Sequence, residues 1–292
     1  MSDRNKAIIA IFLSSIFGGA VSTVIKIAVR QIPPFNFSFI RFLIASICLF
    51  PLFMKKKPKF DVDFGKLILI SLLATANIAF FVIGIKTTTA SIGQMLYAGT
   101  PLIVGTLGYI IFGHKLPLKK WFFILIGLVG VSVVIILPII HKKSAFSGDL
   151  IGNVLILLGV ISWSFYALLS KQMQKKYSPI VITAVFCFVA TFLFLLLSFF
   201  ELSQNNYWWN NLSPGAIVGV LYVSLFATVG TYLLNQYALK FSNAVLGSLS
   251  LYLQPIFAFV TAYLLLGEKL NFGLFLGTVL VFTSIALTTY SK

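Results

Sequence analysis

Two stretches of the sequence, 154 residues apart, decide the fold. Residues 84–116 read GIKTTTASIGQMLYAGTPLIVGTLGYIIFGHKL, and residues 238–270 read ALKFSNAVLGSLSLYLQPIFAFVTAYLLLGEKL. The pairs that match at this offset are Lys86 and Lys240, Ala90 and Ala244, Gly93 and Gly247, Pro101 and Pro255, Tyr109 and Tyr263, Gly113 and Gly267, Lys115 and Lys269, and Leu116 and Leu270. Because lysine, proline and glycine are among them, a shared apolar composition does not explain the matches, which indicate an internal repeat.

A second set of matches extends the repeat to the rest of the chain. At an offset of 145 the pairs are Ile11 and Ile156, Leu13 and Leu158, Ile16 and Ile161, Lys26 and Lys171, Pro34 and Pro179, and Ala45 and Ala190. We therefore expect a first five-helix repeat over residues 1–138 and a second over residues 148–292. Since five is odd, the second repeat enters the membrane from the opposite side, as in many secondary transporters. The alternative is an inert scaffold that only records a gene duplication.

Composition places the chain in a membrane. It has 292 residues, of which 59% are hydrophobic and 10% charged, and a mean hydropathy of +1.03. Soluble domains carry about a quarter charged residues, so soluble enzymes, nucleic-acid-binding proteins and disordered chains are excluded. The apolar runs that approach the roughly 20 residues of a membrane span cover residues 7–28, 35–54, 66–86, 91–112, 119–138, 150–170, 179–200, 215–235, 243–266 and 272–290. The sequence predicts an all-α integral membrane protein with ten transmembrane helices in two inverted five-helix repeats.

The net charge of +16 reports orientation rather than a nucleic-acid partner. With the amino terminus inside, fifteen basic residues lie on the cytoplasmic side, namely Arg4, Lys6, Lys55, Lys56, Lys57, Lys59, Lys66, Lys115, Lys119, Lys120, Lys171, Lys175, Lys176, Lys240 and Lys292. Six lie on the other side, namely Lys26, Arg30, Lys86, Lys142, Lys143 and Lys269. Cytoplasmic loops are the more basic ones. We therefore expect both termini in the cytoplasm. Short loops and the absence of an organelle signal favour a plasma (inner) membrane location.

The two repeated stretches resemble the EamA-type repeat of the drug/metabolite transporter superfamily. In that pattern a helix rich in small residues at its start has a proline at mid-helix and ends in Gly-Glu. Residues 34–45, PFNFSFIRFLIA, resemble the second helix of the family, with Arg41 in its arginine position, and residues 148–170 resemble its sixth helix. Two positions depart from a symmetric pattern: His114 stands opposite Glu268, and Phe186 stands opposite Arg41.

The resemblance implies a fold and a class of function. Members of the family have ten helices with cytoplasmic termini. They export or exchange small metabolites, often amino acids or related compounds. The departures at His114 and Phe186 argue against carrying over a symmetric ion-coupling role to both repeats.

Polar residues in the spans supply the candidate site. Helical spacing puts Gln94, Tyr97 and Pro101 on one face of the fourth span, and Ser248, Tyr252 and Pro255 on one face of the ninth. The candidates for substrate binding are Arg41, Asn77, Gln94, Tyr97, Trp163, Tyr166, Asn235, Ser248, Tyr252 and Gln254, and those for gating or a helix break are Pro101 and Pro255. Polar residues in spans face protein or a water-filled cavity, and helix packing is the alternative to a cavity.

Arg41 has two interpretations. A guanidinium inside a span costs at least ~2.5 kcal/mol on insertion scales, which a bound anion such as a carboxylate would offset. The structural interpretation is a side chain that snorkels to the surface or caps helix ends. The sequence leaves both open.

Together these features predict a secondary transporter of small, amino-acid-like or drug-like metabolites that works by alternating access. Glu201 and Glu268 fall at helix ends, so no carboxylate proton relay is expected, and the resemblance implies export or facilitated exchange. No metal-binding or catalytic constellation is expected, and no cofactor. The alternatives are a membrane-embedded enzyme and a channel for small solutes. The expected partners are a small-molecule substrate and the lipid bilayer, and a monomer is compatible with the sequence.

Overall fold

The computed structural model describes residues 3–113, 118–140, 148–202, 208–241, 250–269 and 272–290. Regular structure in this part of the chain is helical throughout. The α-helices are α1 Asp3–Gly19, α2 Val21–Ala28, α3 Pro34–Lys56, α4 Val62–Thr87, α5 Ala90–Ala98, α6 Thr100–Phe112, α7 Leu118–Ile140, α8 Leu150–Met173, α9 Pro179–Leu202, α10 Pro214–Tyr222, α11 Thr231–Phe241, α12 Ser250–Leu266 and α13 Phe272–Tyr290. A π-helix, Val223–Gly230, joins α10 to α11, and a short 3₁₀ helix covers Trp208–Asn211.

Three of the predicted spans are interrupted. The first divides into α1 and α2 at Ala20, and the fourth divides into α5 and α6 at Gly99. Pro101 is the second residue of α6, where its missing N–H breaks no helical bond. The eighth span is continuous, but its middle section, Val223–Gly230, is the π-helix. Interruptions of this kind leave backbone groups inside the membrane region, which is tolerated where they face protein or a cavity.

Seven described segments are long and apolar enough to cross a bilayer. They are Ile9–Ala28, Pro34–Lys56, Val62–Thr87, Ala90–Ile111, Leu150–Met173, Pro179–Glu201 and Pro214–Phe241. Three shorter apolar helices follow the same pattern, namely Trp121–Val133, Phe257–Leu266 and Phe275–Ser284. The chain is therefore a multi-pass, all-helical membrane protein.

Helix packing follows the repeat. The first helix of the first half, α1, packs against α11 and α12 of the second half. Its counterpart in the second half, α8, packs against α4 and α6, which are the counterparts of α11 and α12. The remaining large contacts join α3 to α9 and α7 to α13, and each of these pairs consists of equivalent helices. The same contacts therefore recur when the two halves are exchanged.

Individual residues show the same correspondence. The Ser46 and Thr191 hydroxyls are 145 residues apart and hydrogen-bond to each other at 2.8 Å, so two equivalent positions meet. Gly113 and Gly267, 154 residues apart, both end a helix in the left-handed region, with φ of 63° and 65°. Glycine adopts this conformation without the steric cost of a Cβ.

A close backbone approach between the halves depends on a glycine. A Cβ on Gly84 of α4 would lie 2.7 Å from the carbonyl oxygen of Gly152 in α8. Small residues allow such close backbone approach between membrane helices, which have little hydrophobic driving force to associate. This contact fixes the wall of α4 and α8 that carries Asn77 and Trp163.

Candidate functional site

A cavity of about 80 Å³ lies between the two halves. A single water needs on the order of 10–15 Å³ on this scale of volume, so the space holds several waters or part of a small solute. Seven of the ten predicted binding residues line it, namely Arg41, Asn77, Gln94, Tyr97, Trp163, Asn235 and Gln254. The structure thus brings together side chains from α3, α4, α5, α8, α11 and α12.

The other predicted residues lie elsewhere. Tyr166 is 1% exposed and packs behind the cavity wall, with its ring 5.1 Å from that of Trp163. Ser248 lies outside the described residues, and so does the side chain of Tyr252. Pro101 follows the break at Gly99 and does not line the cavity. Pro255 lies inside α12, next to Gln254, which does.

Arg41 is the only charged side chain among the residues that line this cavity. It is 1% exposed and lies seven residues into the 23-residue α3, about 10 Å along the helix. Its Nε donates to Thr228 Oγ1 at 2.5 Å, and its Nη2 donates to Tyr232 Oη at 3.1 Å. Both partners are side chains of neighbouring helical segments. A guanidinium has five N–H groups, so these two bonds hold it in place without using all of its donors.

The π-helix positions the first of these partners. Thr228 Oγ1 donates to the Val223 carbonyl oxygen at 2.7 Å, five residues back, and so offers its own lone pair to Arg41. A wider turn rotates the residues after it relative to an α-helix, and π-segments frequently mark functional sites. Here the turn brings Thr228 to the guanidinium and places Ala227, Thr231 and Tyr232 in the cavity wall.

Amides and phenols form the neutral polar part of the wall. Asn77 Nδ2 donates to the Tyr97 hydroxyl, and to the Gly159 carbonyl oxygen at 2.8 Å. Gln94 Nε2 donates to Gln254 Oε1 at 2.9 Å, which links α5 to α12 across the boundary between the halves. Since each of these groups both donates and accepts hydrogen bonds, the wall can exchange internal bonds for bonds to a solute.

The apolar part of the wall is aromatic. The rings of Trp163 and Tyr232 lie 5.5 Å apart, and those of Phe81 and Tyr97 meet edge to face at 5.5 Å. A wall of aromatic surface with a few directed polar groups is typical of small-molecule sites.

An ion pair lies next to residues that line this cavity, and we call it the latch: Lys26, Glu268 and the start of α5. Glu268 Oε1 accepts from the Ala90 N–H at 2.9 Å, and Oε2 accepts from the Ser91 N–H at 3.0 Å and the Ser91 hydroxyl at 2.8 Å. Lys26 Nζ lies 3.4 Å from Oε1 and also donates to the Thr88 carbonyl oxygen. An anion is favourable at a helix N-terminus, where the N–H groups are free.

The latch lies directly beside the cavity. Lys26 follows Ile25, which lines the cavity, and Ala90 is one helical turn, about 6 Å, before Gln94. Glu268 is 8% exposed, so the pair is largely shielded from water. The latch joins α2, α5 and the end of α12, and so ties the first half to the second.

The two glutamates that the sequence placed at helix ends are both bound to another helix. Glu201 accepts from the Phe35 and Asn36 N–H groups, each at 2.9 Å, at the start of α3. The other described carboxylates, Asp61, Asp63 and Asp149, bind backbone N–H groups, a tyrosine or lysines near helix starts. None of these five side chains lines the cavity. In the described part of the chain no group of His, Cys, Asp and Glu has the make-up of a metal site.

Sequence reasoning missed several functional positions. A 3.6-residue period does not predict Thr228, Thr231 and Tyr232, because these residues lie in the π-helix or directly after it. Lys26 and Glu268 are 242 residues apart. The sequence shows each of them as a rare charged residue beside an apolar span, but it does not show that the two meet. Gly18 contacts Gln254 so closely that a Cβ would lie 2.4 Å from its amide nitrogen.

Comparison with known proteins identifies the family. The EamA-like transporter family matches residues 5–136 and again residues 150–290. An uncharacterized transporter of Archaeoglobus fulgidus is 26% identical over 91% of each chain, and the uncharacterized inner membrane transporter YedA of Escherichia coli is 25% identical over 97% of this chain and 90% of its own. A solved protein crystal structure with 16% identity superposes with a TM-score of 0.67, over 98% of this chain and 96% of the other. The chain belongs to the EamA-like transporter family.

Proposed function

We propose that this protein is a secondary transporter that carries small metabolites across the plasma (inner) membrane by alternating access. The observation that carries the proposal is the cavity walled by residues from both halves of the chain, with the latch beside it. A site between two half-structures is exposed to one side or the other when the halves move relative to each other. Because the cavity lies within one chain, a monomer is sufficient.

The architecture we propose is ten transmembrane helices in two inverted five-helix repeats, over residues 1–138 and 148–292. The seven long and three short apolar segments support the number ten. The recurrence of helix contacts on exchange of the halves supports a two-fold relation between them. With five spans in each repeat, that two-fold axis lies in the membrane plane.

The proposed orientation has both termini in the cytoplasm. It rests on the fifteen to six distribution of basic residues. The name of YedA, an inner membrane transporter, agrees with a plasma-membrane location. In this orientation Lys26 and Glu268 lie at the outer end of the cavity, so the latch closes the outer side.

The proposed transport is export or facilitated exchange without a carboxylate proton relay. Proton-coupled carriers commonly place a carboxylate or histidine on the transport path, whereas the polar side chains that line this cavity are a guanidinium, amides, phenols, an indole and a hydroxyl. The proposal does not include catalysis. Substrate flux that tracks an imposed pH gradient in proteoliposomes would contradict the absence of proton coupling.

A transport assay tests the main claim. Ligands of the purified protein are first identified by thermal shift against amino acids, nucleosides and drug-like amines, together with organic acids. Proteoliposomes loaded with an unlabelled ligand are then expected to accumulate the labelled ligand transiently and saturably. A non-saturable flux without counterflow would indicate a channel and overturn the proposal.

Thiol labelling tests alternating access independently of the ligand. Thr231→Cys, in a background of Cys48→Ser and Cys187→Ala, places a thiol on the cavity wall. We expect a membrane-impermeant maleimide to reach it from each side of the membrane in turn, with a ligand changing the two rates in opposite directions. Phe192→Cys on the lipid-facing surface, where the native side chain is 61% exposed, is the control and should react from neither side.

A further inference from the structure

The charge of the cavity points to the chemical class of its substrate. Arg41 is the one charged side chain of the cavity wall. The described ion pairs, Lys26 with Glu268, Lys66 with Asp63, and Lys176 with Asp61 and Asp63, do not include it. A guanidinium is protonated under all physiological conditions, so the wall carries one positive charge without a neighbouring carboxylate among the described residues.

The position of Arg41 does not fit a snorkelling side chain. A snorkelling side chain keeps its charged end in water, whereas Arg41 is 1% exposed. Its guanidinium bonds to Thr228 and Tyr232 and lies 5.8 Å from the Tyr232 ring and 5.0 Å from the Phe42 ring. These contacts restrict the guanidinium and leave N–H groups free, and a planar guanidinium with free donors suits a carboxylate.

We propose that the substrates of this transporter are organic monocarboxylates, with the carboxylate bound at Arg41 and an apolar portion against the aromatic wall of Trp163, Tyr97 and Phe81. The assignment rests on the proposed transport function. A monoanion neutralises the wall, whereas a zwitterionic amino acid leaves one positive charge in a dehydrated site and a cationic amine makes two. A phosphate dianion calls for more than one cation, and the wall supplies one.

The amide groups fit the same class. Asn77, Gln94 and Gln254 present both donors and acceptors, which suits keto, hydroxyl or carboxamide groups between the carboxylate and the apolar end. Because these amides carry no charge, none of them neutralises Arg41 as a carboxylate would.

A matched series of compounds tests the proposal by binding alone. Phenylacetate, phenylacetamide, phenylalanine and phenethylamine share one aromatic group and carry an anion, a neutral amide, a zwitterion and a cation. Hexanoate and hexanamide repeat the comparison for an aliphatic group. We expect thermal stabilisation of the wild type by the two carboxylates, at concentrations at least tenfold below those at which the isosteric amides act. Equal effects of carboxylates and amides, stabilisation by phenethylamine alone, or no stabilisation by either carboxylate would overturn the proposal.

Variants separate the guanidinium from the general charge of the protein. Arg41→Gln should weaken carboxylate binding at least tenfold and leave the amides unchanged, and Arg41→Lys should retain part of the preference. Lys175→Gln removes an exposed positive charge that does not line the cavity and should leave the preference intact. If Arg41→Gln does not purify as a monodisperse protein, the wild-type compound series still decides between the charge classes, because it needs no variant.

Counterflow distinguishes this inference from the proposed function. Carboxylates that bind but undergo no counterflow would refute transport and leave the binding class standing. Counterflow of neutral or cationic compounds only would refute the carboxylate assignment and leave transport standing.

Discussion

Replacing Glu268 by glutamine should open the latch. The carboxylate uses both oxygens: Oε1 for the Ala90 N–H, and Oε2 for the N–H and hydroxyl of Ser91. A glutamine keeps one acceptor and turns the other into an NH₂ group, which would then face an N–H donor. It also removes the counter-charge of Lys26, 3.4 Å away.

The magnitude follows from these contacts. A hydrogen bond to a charged group contributes about 1.5–3 kcal/mol, and an anion at a helix N-terminus contributes up to about 2 kcal/mol when partly buried. Removing one partner of a buried ion pair costs about 3–5 kcal/mol. The lower limit applies here, because the Lys26 side chain is still 15% exposed. If the latch forms only when the cavity is closed at that end, a loss of about 3 kcal/mol shifts the equilibrium roughly 100-fold towards the open state.

Labelling of the cavity thiol measures this shift. In the Thr231→Cys background, Glu268→Gln should raise the rate of reaction with an impermeant maleimide from the latch side, which is the outer side in the proposed orientation. The rate from the opposite side should fall, since the two states share one population. Rates are compared in intact cells and in inverted vesicles.

Glu201→Gln is the matched control. Glu201 also binds two backbone N–H groups at a helix start, but it joins α9 to α3 and does not line the cavity. Both variants should lower the melting temperature, and only Glu268→Gln should change labelling. Unchanged labelling in Glu268→Gln, or an equal increase in Glu201→Gln, would show that the contact does not gate access.

Three further outcomes are expected. Thr228→Val removes the acceptor of the arginine Nε and should weaken carboxylate binding about tenfold in thermal shift, with rescue by Thr228→Ser. Gly19→Val should reduce the yield of folded protein in size-exclusion chromatography, because a Cβ there would lie 2.2 Å from a phenylalanine Cβ of α12, whereas Gly65→Ala has no atom within 4 Å to meet. Tyr177 donates to Asp61 at 2.7 Å, which lowers the pKa of that carboxyl, while burial and the same bond raise the pKa of Tyr177 to about 12. The Asp61 contribution to stability is present above its ordinary pKa and lost as pH falls through the lowered value, and that of Tyr177 is lost as pH rises towards 12. Melting temperatures of Tyr177→Phe should therefore fall below those of the wild type near neutral pH and converge with them in acid.

Periodicity predicts several of the residues that line the cavity. Gln94 and Tyr97 share a helical face with a mid-span proline, and both line the cavity. Asn77 and Asn235 are amides in apolar spans, which have a high cost unless they face a polar space, and both also line the cavity. Their place in the wall is predictable because the cost of desolvation belongs to each polar residue by itself and can be read from the sequence, whereas their role in binding stays a prediction.

Contacts between distant residues and local changes of helix type were not predictable in this way. Tyr166 shares a helical face with Trp163, but Gln236 of α11 donates a hydrogen bond to the Tyr166 hydroxyl at 3.1 Å. Tyr166 therefore belongs to the packing behind the cavity wall. Thr228 reaches Arg41 because one turn widens, and the apolar sequence of that turn carries no signal for it. The break in the fourth span falls at Gly99 rather than at Pro101, since proline is accommodated in the first turn of the helix that follows.

At the position of Arg41 the two repeats differ, and only the first repeat carries a charged side chain there. The counterpart of Arg41 is Phe186, whose ring lies 5.3 Å from that of Phe42 and 5.1 Å from that of Tyr232. The same aromatic residues that flank the guanidinium therefore also pack against the residue that replaces it. A strictly symmetric pair of arginines would bury two like charges beside the same aromatic residues, at a desolvation cost that a monovalent substrate cannot offset. Divergence at this position therefore leaves Arg41 as the one charged side chain among the residues that line the cavity, which matches the single negative charge of the proposed substrate.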